Sequence, residues 1–341
     1  MLDIAVVGAG VVGLAIAGEA QRRGARVAVF ERSGIGAGAS GVQPGGVRGQ
    51  WGTRISCRLA RESAAVYADV DGFRRCGYLF LAHSERTLAQ LAANVAVQNA
   101  EGIPSRIVSA DEAARLVPGL TVETVVGGSW CADDGYFDRP QAVVESFARG
   151  IDVRIQEVRS LDELDARAVV VAAGADTPAL LPGLPIEREE RYLFYSEPVR
   201  ERLLEPLVIS AERRFAAKQL ADGRVLASDL GARGDGARRE AWRAHVRAGI
   251  DELLPRLTHV SFPLLVRGEY DVTPDHQPVL GEVRDGVYVA AGFSGHGFMI
   301  APAVARILAD AILDGRRDEA LDVLDVARFA ENRPVPEPQL I

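Results

Sequence analysis

Residues 2 to 31 constrain the fold more than any other stretch. Ile4-Ala5-Val6-Val7 is a continuous apolar run, as a parallel strand buried on both faces requires. It leads straight into Gly8-Ala9-Gly10-Val11-Val12-Gly13, whose glycines stand at G-x-G-x-x-G spacing. Gly8 permits a tight turn and Gly10 lets backbone approach a pyrophosphate. Gly13 lets the next helix pack closely on the strand, so that its first N–H groups face phosphate. Ala17 keeps that contact small, Gly24 closes the helix, and Arg26-Val27-Ala28-Val29-Phe30 forms the second strand. Glu31 then falls where a carboxylate accepts both hydroxyls of an adenosine ribose. An acid at this position favours FAD or NAD over NADP, although Arg32 beside it runs against the preference. The unit predicts a dinucleotide but does not choose which one.

The chain of 341 residues has room for two domains with sizeable cores. A formal charge of −8 speaks against nucleic acid, which needs a basic face. Cys57, Cys76 and Cys131 are scattered without C-x-x-C spacing. Neither a disulfide framework nor a metal site is expected, and a reducing cytoplasm fits best. The first strand begins at once, with no basic region or cleavage site ahead of it, which speaks against a signal peptide. The apolar runs are too short to span a bilayer.

Further along, the Ser33–Gly41 stretch and Gln43-Pro44-Gly45-Gly46-Val47-Arg48-Gly49-Gln50-Trp51 form a glycine-rich loop. So much glycine brings backbone close to a ligand or makes a plain linker; its continuation into an amphipathic helix, Ile55 to Val70, favours the ligand. Strands are expected at Tyr78 to Ala82, Val125 to Cys131 and Ile151 to Val158, with a turn at Ala132 to Gly135. Helices are expected over Ser84 to Glu101 and over Ser109 to Leu116, where Ser109 and Glu112 make a capping box. Asp138 reads as the N-cap of a helix running to Ala148, with Pro140 in its first turn. Ala168 to Ala175 is a second buried parallel-type strand, although only about ten residues separate it from the previous one, short for a full crossover. From Arg191 to Tyr270 the texture is mixed β, with a hairpin turn at Asp222-Gly223, a loop at Gly231 to Asp235 and a helix at Arg238 to Leu254. The end repeats the opening: an apolar strand over Gly286 to Gly292, the turn Phe293-Ser294-Gly295-His296-Gly297-Phe298, and a helix from Met299 to Leu313. A second helix N-terminus can thus meet a ligand. Residues 334–341 read as a loosely attached tail.

Three stretches together resemble the D-amino-acid oxidase superfamily of FAD-dependent oxidoreductases, in its sarcosine oxidase, glycine oxidase and L-proline dehydrogenase branch. They are the opening unit, the Gly45–Trp51 loop, and Tyr270-Asp271-Val272-Thr273-Pro274-Asp275 followed by Gly292–Phe298. The resemblance runs from residue 1 to about 330 and implies an α/β fold. A glutathione-reductase-type FAD-binding Rossmann domain (1–75, 136–185 and 272–333) would carry an inserted antiparallel substrate sheet (76–135 and 186–271). It further implies that Gly8, Gly10, Val11, Val12 and Gly13 hold the pyrophosphate, that Glu31 and Arg32 flank the ribose, and that Val158 backbone meets adenine. Ala173 and Gly174 would pack near the adenosine half. Ala39, Ser40, Gly45, Gly46 and Val47 would line the cofactor. Gly292, Gly295, His296, Gly297, Phe298 and Met299 would surround the flavin pyrimidine, where a helix dipole favours negative charge.

The reaction so implied is hydride transfer from a substrate Cα–H to flavin N5, giving an imine that water hydrolyses. Arg48 is the expected partner of the substrate carboxylate, because its fork matches two carboxylate oxygens. Tyr270 is expected to line the substrate pocket. His296 serves acid–base work or shapes the flavin shell, and the shell is the preferred reading. Departures from the family pattern sharpen the expectation. Gly268 stands where some members carry the cysteine that binds FAD covalently, so FAD is expected to be non-covalent. Met299 replaces a carboxylate-binding lysine. No lysine falls within Arg224 to Asp229, where oxidases hold one over the flavin, and Lys218, the only lysine, lies one strand earlier. A dehydrogenase is therefore expected over a fast oxidase, with dioxygen or an electron carrier as acceptor. Other readings are a 2-hydroxy acid or glycerol phosphate oxidoreductase on the same fold, and an FAD-binding subunit or assembly flavoprotein inside an oligomer or hetero-complex. An NAD-dependent dehydrogenase is disfavoured by the Gly295–Met299 segment.

Overall fold

The computed structural model describes residues 1–234 and 236–339. Its first sheet has six strands in the order Val279–Arg284, Val287–Ala291, Ala166–Val171, Leu2–Val7, Val27–Glu31, Asp152–Ile155. All neighbours are parallel except the Val279–Arg284 edge strand, which runs antiparallel to Val287–Ala291. In the central strands Leu2–Val7, Val27–Glu31, Ala166–Val171 and Val287–Ala291 most β-branched and alanine side chains are buried on both faces, and Ile4, Ala5 and Val6 are fully enclosed, whereas Ile155 on the edge strand is exposed. Leu2–Val7 lies in the middle with partners on either side, so the crevice beyond its carboxyl end is a topological switch point. That crevice is where the glycine turn sits. The short link between Asp152–Ile155 and Ala166–Val171 is explained by topology. The two strands flank Leu2–Val7 and Val27–Glu31 instead of pairing with each other, so a single 3-10 turn at Leu161–Glu163 suffices.

Two helices cover one face and share its core: Val11–Arg22, and Gly297–Asp314 with Pro302 inside it. A second, eight-stranded sheet is built from interleaved segments: Leu264–Val272, Glu187–Tyr195, Val225–Asp229, Phe215–Gln219, Leu207–Ser210, Tyr78–Ala82, Gly127–Cys131 and Arg106–Val108. Its longest ladder joins Glu187–Tyr195 to Leu264–Val272 over nine antiparallel residue pairs. The Arg239–Leu253 helix packs on its far side through Trp242, Val246 and Ile250. A small sheet of Gly46–Val47, Gly135–Phe137 and Phe73–Arg75 ties the glycine-rich loop to the rest.

The Ser109–Glu112 capping box forms as expected, and Gly223 takes φ +88° in the hairpin turn. Other local expectations need correction. Asp138 does not cap the Pro140–Phe147 helix; its carboxylate accepts from Arg74 (3.0 Å) and from the Ala221 N–H (2.9 Å), a tertiary competitor that outbids the local cap. Gly135 begins a strand, where a turn was expected. The Val279–Arg284 strand went unread because glycine, glutamate and arginine interrupt its pattern. The expected tail is packed down to Gln339: Val335 N–H donates to Asp275 (2.9 Å), and Glu337 accepts from the Gly52 N–H (2.6 Å) and the Thr53 hydroxyl (2.9 Å). Asp235, at the end of the Gly231 to Asp235 loop, and the last two residues of the tail lie outside the described residues. Among the described residues no helix is long and apolar enough to cross a membrane.

Candidate functional site

A cavity of about 610 Å³ runs along the carboxyl ends of the parallel strands. At one end it is walled by Gly8, Gly10, Val11 and Val12, by Glu31 and Arg32, by Val158, and by Ala173 and Gly174. Ala39 and Ser40 line its middle, and Tyr270, Asp271, Gly295, Gly297 and Phe298 close the other end. An elongated groove of this size, running between two helix N-termini, suits a dinucleotide.

The glycine turn is shaped by necessity. Gly8 has φ +110°, and a Cβ there would lie 2.4 Å from the Ala172 carbonyl oxygen. Gly13 does not touch the cavity; a Cβ on it would sit 2.0 Å from the Gly8 carbonyl oxygen, so its role is the close helix packing. The helix has no side-chain N-cap. The Ser40 hydroxyl accepts from the Val11 N–H instead (2.9 Å), linking the glycine turn to the second loop. Glu31 accepts from the Ala9 N–H (2.9 Å) and the Ser33 N–H (2.8 Å), which fixes the carboxylate at the groove wall. Arg32 pairs with Asp176 (2.7 Å), which lines the same groove.

At the opposite end Gly295 has φ +90°, and a Cβ there would meet the Tyr270 ring at 2.3 Å. This glycine is what lets the turn and Tyr270 share the space. Tyr270 stands beside the Arg191 guanidinium (5.4 Å to the ring centroid), and burial pushes its hydroxyl above the usual phenol range. Asp271 beside it accepts from the Gly292 N–H (2.7 Å), and burial pushes its carboxyl up to about 6. His296 is the N-terminal flanking residue of the Gly297–Asp314 helix and packs edge-on against Trp51, with ring centroids 4.3 Å apart. Its Nε2 is buried without a partner. Burial, Arg48 and His276 hold its pKa well below the ordinary histidine value, so the ring is neutral at pH 7.

Several expected cofactor residues stand behind the wall of the groove. Gly45, Gly46, Val47, Gly292, His296 and Met299 do not line it. Gly46 is covered by Tyr78, whose hydroxyl would lie 2.1 Å from a Cβ there. Arg48 is also absent from the wall and fully buried. It stacks on Trp51 (3.6 Å to the ring centroid), donates to the Gln50 carbonyl, and donates to the Gln339 carbonyl at 2.8 Å. Burial lowers its pKa to about 10, so it remains charged. The structure brings Tyr270 to the groove and leaves Arg48 and His296 in the layer beneath.

Sequence reasoning missed the buried Asp134, and it named Lys218 without its partners. Asp134 is buried with its carboxyl pushed up to about 6, and accepts from the Gly49 N–H (2.6 Å) and Gln50 (3.0 Å). Lys218 pairs directly across the hairpin with Leu226, so both side chains leave the same face of the sheet. Its ammonium donates to the Pro44 carbonyl and stands 3.8 Å from the Tyr136 ring centroid, and burial lowers its pKa to about 7. Its place on the hairpin, opposite the stretch the resemblance pointed to, was the available signal.

The six-stranded sheet, parallel but for its Val279–Arg284 edge, and the eight-stranded sheet, antiparallel but for the parallel pair of Leu207–Ser210 with Tyr78–Ala82, flank a dinucleotide groove between two helix N-termini and define a flavoprotein-type oxidoreductase architecture. The family model of the FAD dependent oxidoreductases called DAO matches residues 3–311. The chain belongs to that family. Glycine oxidase of Geobacillus kaustophilus is 26% identical over 94% of this chain and 95% of its own length. A 4-methylaminobutanoate oxidase (formaldehyde-forming) of Paenarthrobacter nicotinovorans is 23% identical over 95% of this chain, which spans only 45% of that longer protein. The crystal structure of L-proline dehydrogenase from P. horikoshii superposes with a TM-score of 0.92 at 25% identity, over 98% of this chain and 99% of that one.

Proposed function

We propose that the protein oxidises the C–N bond of a small amino or imino acid, of glycine, sarcosine, proline or D-amino acid type, and acts as a dehydrogenase in preference to a fast oxidase. The observation that carries the reading is the Tyr270–Gly295 end of the groove. There the cofactor channel passes directly under the antiparallel sheet and leaves space for a small ligand. The oxidases and dehydrogenase that the chain resembles carry amine or amino-acid names, which favours C–N over C–O chemistry.

The residues fit FAD: a glycine cradle that a Cβ would fill, a carboxylate fixed at the ribose end, and helix N–H groups at both ends. Bound FAD supplies the two-electron acceptor for the substrate's Cα hydride. The protein's part is positioning and electrostatics. The N-terminus of the Gly297–Asp314 helix favours negative charge at its end of the groove. Neutral His296 shapes that end and supplies no cation. Tyr270 forms a wall against which a small substrate can be oriented, excluding water from one side. Gly268 lines the groove without a nucleophile and none of the three cysteines reaches it, in keeping with non-covalent FAD. Lys218 is committed to Pro44 and Tyr136 and is absent from the wall, which supports the dehydrogenase reading.

The test is anaerobic spectroscopy of the FAD-loaded protein against D-, L- and N-methyl amino acids and matched 2-hydroxy acids. Bleaching by an amino or imino acid is expected, followed by faster reoxidation with an artificial acceptor than with dioxygen. Bleaching by hydroxy acids alone would overturn the substrate class. Peroxide release as fast as dye reduction would overturn the preference for a dehydrogenase.

A further inference from the structure

Five acids line the cofactor groove: Glu31, Glu157, Asp176, Glu269 and Asp271. Arginine neutralises three of them. Glu157 pairs with Arg159 (2.9 Å), Asp176 with Arg32 (2.7 Å) and Arg188 (2.6 Å), and Glu269 with Arg188 and with Arg267 (3.8 Å). Glu31 and Asp271 are different. Among the described residues neither forms an ion pair, and both are held by backbone N–H groups alone. Those of Ala9 and Ser33 hold Glu31. That of Gly292 (2.7 Å) holds Asp271, and the neighbouring N–H groups of Phe293 and Ser294 favour its charged form. The Ser294 N–H also donates to the Asp271 carbonyl (2.8 Å), so main chain and side chain are pinned to one turn.

Strand order sets the two acids on either side of the glycine turn. Val27–Glu31, Leu2–Val7, Ala166–Val171 and Val287–Ala291 are consecutive parallel neighbours, so Glu31, Gly8, Ala173 and Gly292 follow one another along the carboxyl edge of the sheet. At about 4.8 Å per strand, three steps separate Glu31 from the Gly292 end by roughly 14 Å. FAD carries two polyols, one on each side of its pyrophosphate: the adenosine ribose and the open ribityl chain. Glu31 is the expected partner of the first, and Asp271 lies on the side of the second. A carboxylate without a cation is costly to cover with a ligand unless the ligand brings a donor. It accepts about four hydrogen bonds in all, so Asp271 has capacity beyond its backbone partners. Phosphate oxygens bring no donor, whereas polyol hydroxyls do.

We infer that Asp271 is a further cofactor-binding residue, whose carboxylate accepts a hydrogen bond from a ribityl hydroxyl of FAD. It is the counterpart, across the pyrophosphate, of the role expected of Glu31 at the adenosine ribose. The inference needs FAD alone and stands apart from the substrate reading above. It accounts for the one acid at the Tyr270–Gly295 end of the groove that the protein holds with N–H groups and leaves without a cation.

The test titrates the apo-protein with FAD and with analogues that each lack one ribityl hydroxyl, read by flavin fluorescence, and with ADP as a probe of the adenosine half, read by calorimetry. The parent is expected to bind at least one deoxy analogue about 10-fold or more weakly than FAD, as loss of a hydrogen bond to a charged acceptor does. Asp271→Ala should weaken FAD binding by a similar factor and leave ADP binding unchanged. It should also bind that analogue and FAD equally, which is the coupling a direct contact requires. Asp271→Asn keeps an acceptor for the Gly292 N–H and decides the matter if Asp271→Ala does not fold; the preference for FAD over the analogue should shrink in it. If Asp271 only props the turn, the variants will weaken FAD and its analogues alike and the parent's preference will persist undiminished. That result overturns the inference, and so does a parent that binds every deoxy analogue as tightly as FAD. Coupling of Asp271 to methylation of the flavin ring imide, in place of a ribityl hydroxyl, overturns it as well.

Discussion

Glu31 offers the sharpest test of how the groove is built, because its carboxylate serves the protein before it serves a ligand. It accepts from the N–H groups of Ala9 (2.9 Å) and Ser33 (2.8 Å), and Ala9 is fully buried. Hydrogen bonds to an ionised acceptor are worth about 1.5–3 kcal/mol each. The carboxylate is only half-buried, so about 2–3 kcal/mol for the pair is the reasonable figure. At ~2.1 cal/mol/K per residue the unfolding entropy of this chain is roughly 0.7 kcal/mol/K, and the apo-protein Tm should fall by about 3–4 °C in Glu31→Ala. Glu31→Gln should do nearly as badly, since whichever way the amide turns, its NH2 faces one of two N–H donors. Without the fixed acid at the ribose end, the FAD Kd should rise about 10- to 100-fold in both variants, or ~1.4–2.7 kcal/mol. Scanning calorimetry of the apo-protein and a fluorescence titration with FAD measure the two effects separately. An unchanged apo Tm would refute the structural role, and an unchanged Kd in a folded Glu31→Gln protein would refute the ribose assignment.

Two further perturbations address the glycine turn and the buried lysine. Gly13→Ala places a methyl group 2.0 Å from the Gly8 carbonyl oxygen; the helix must move, costing about 1–3 kcal/mol in Tm measurements, and FAD should be lost on gel filtration at concentrations where the parent keeps it. Lys218 has a folded-state pKa lowered by burial from 10.5 to about 7. Between these values the unfolded chain holds a proton that the folded chain has released, so parent stability rises with pH through that window. Lys218→Met lacks this response: its stability relative to the parent should fall by up to about 2–3 kcal/mol between pH 7 and pH 9 in urea titrations, and parallel pH profiles would contradict the assignment.

The parts of the site legible in the sequence are those where chemistry and spacing are local. The glycine turn, Glu31 and the Gly292–Phe298 turn each lie within a strand–turn–helix unit; Gly8, Gly10, Glu31, Gly295, Gly297 and Phe298 line the groove, while Gly13, Gly292 and His296 stand behind it. Arg48 shows where local reading ends. Its charge and its glycine-rich loop pointed to a substrate anion, but its partner is the Gln339 carbonyl, 291 residues further along the chain, and nothing near Arg48 announces that contact. The same holds for Gly46, closed off by a tyrosine from another sheet. Arg191 is the converse case. Glu187-Arg188-Glu189-Glu190-Arg191 is rich in charge, yet its ladder with Leu264–Val272 sets Arg191 opposite Gly268 and brings it to a small lobe beside Tyr270. Charge is visible in a sequence. Whether that charge meets water, a carbonyl or a ligand is decided by strand pairing and by segments distant in the chain. The substrate end of this protein, assembled from the 39–44, 187–195, 225–230 and 264–272 segments, is where that decision matters most.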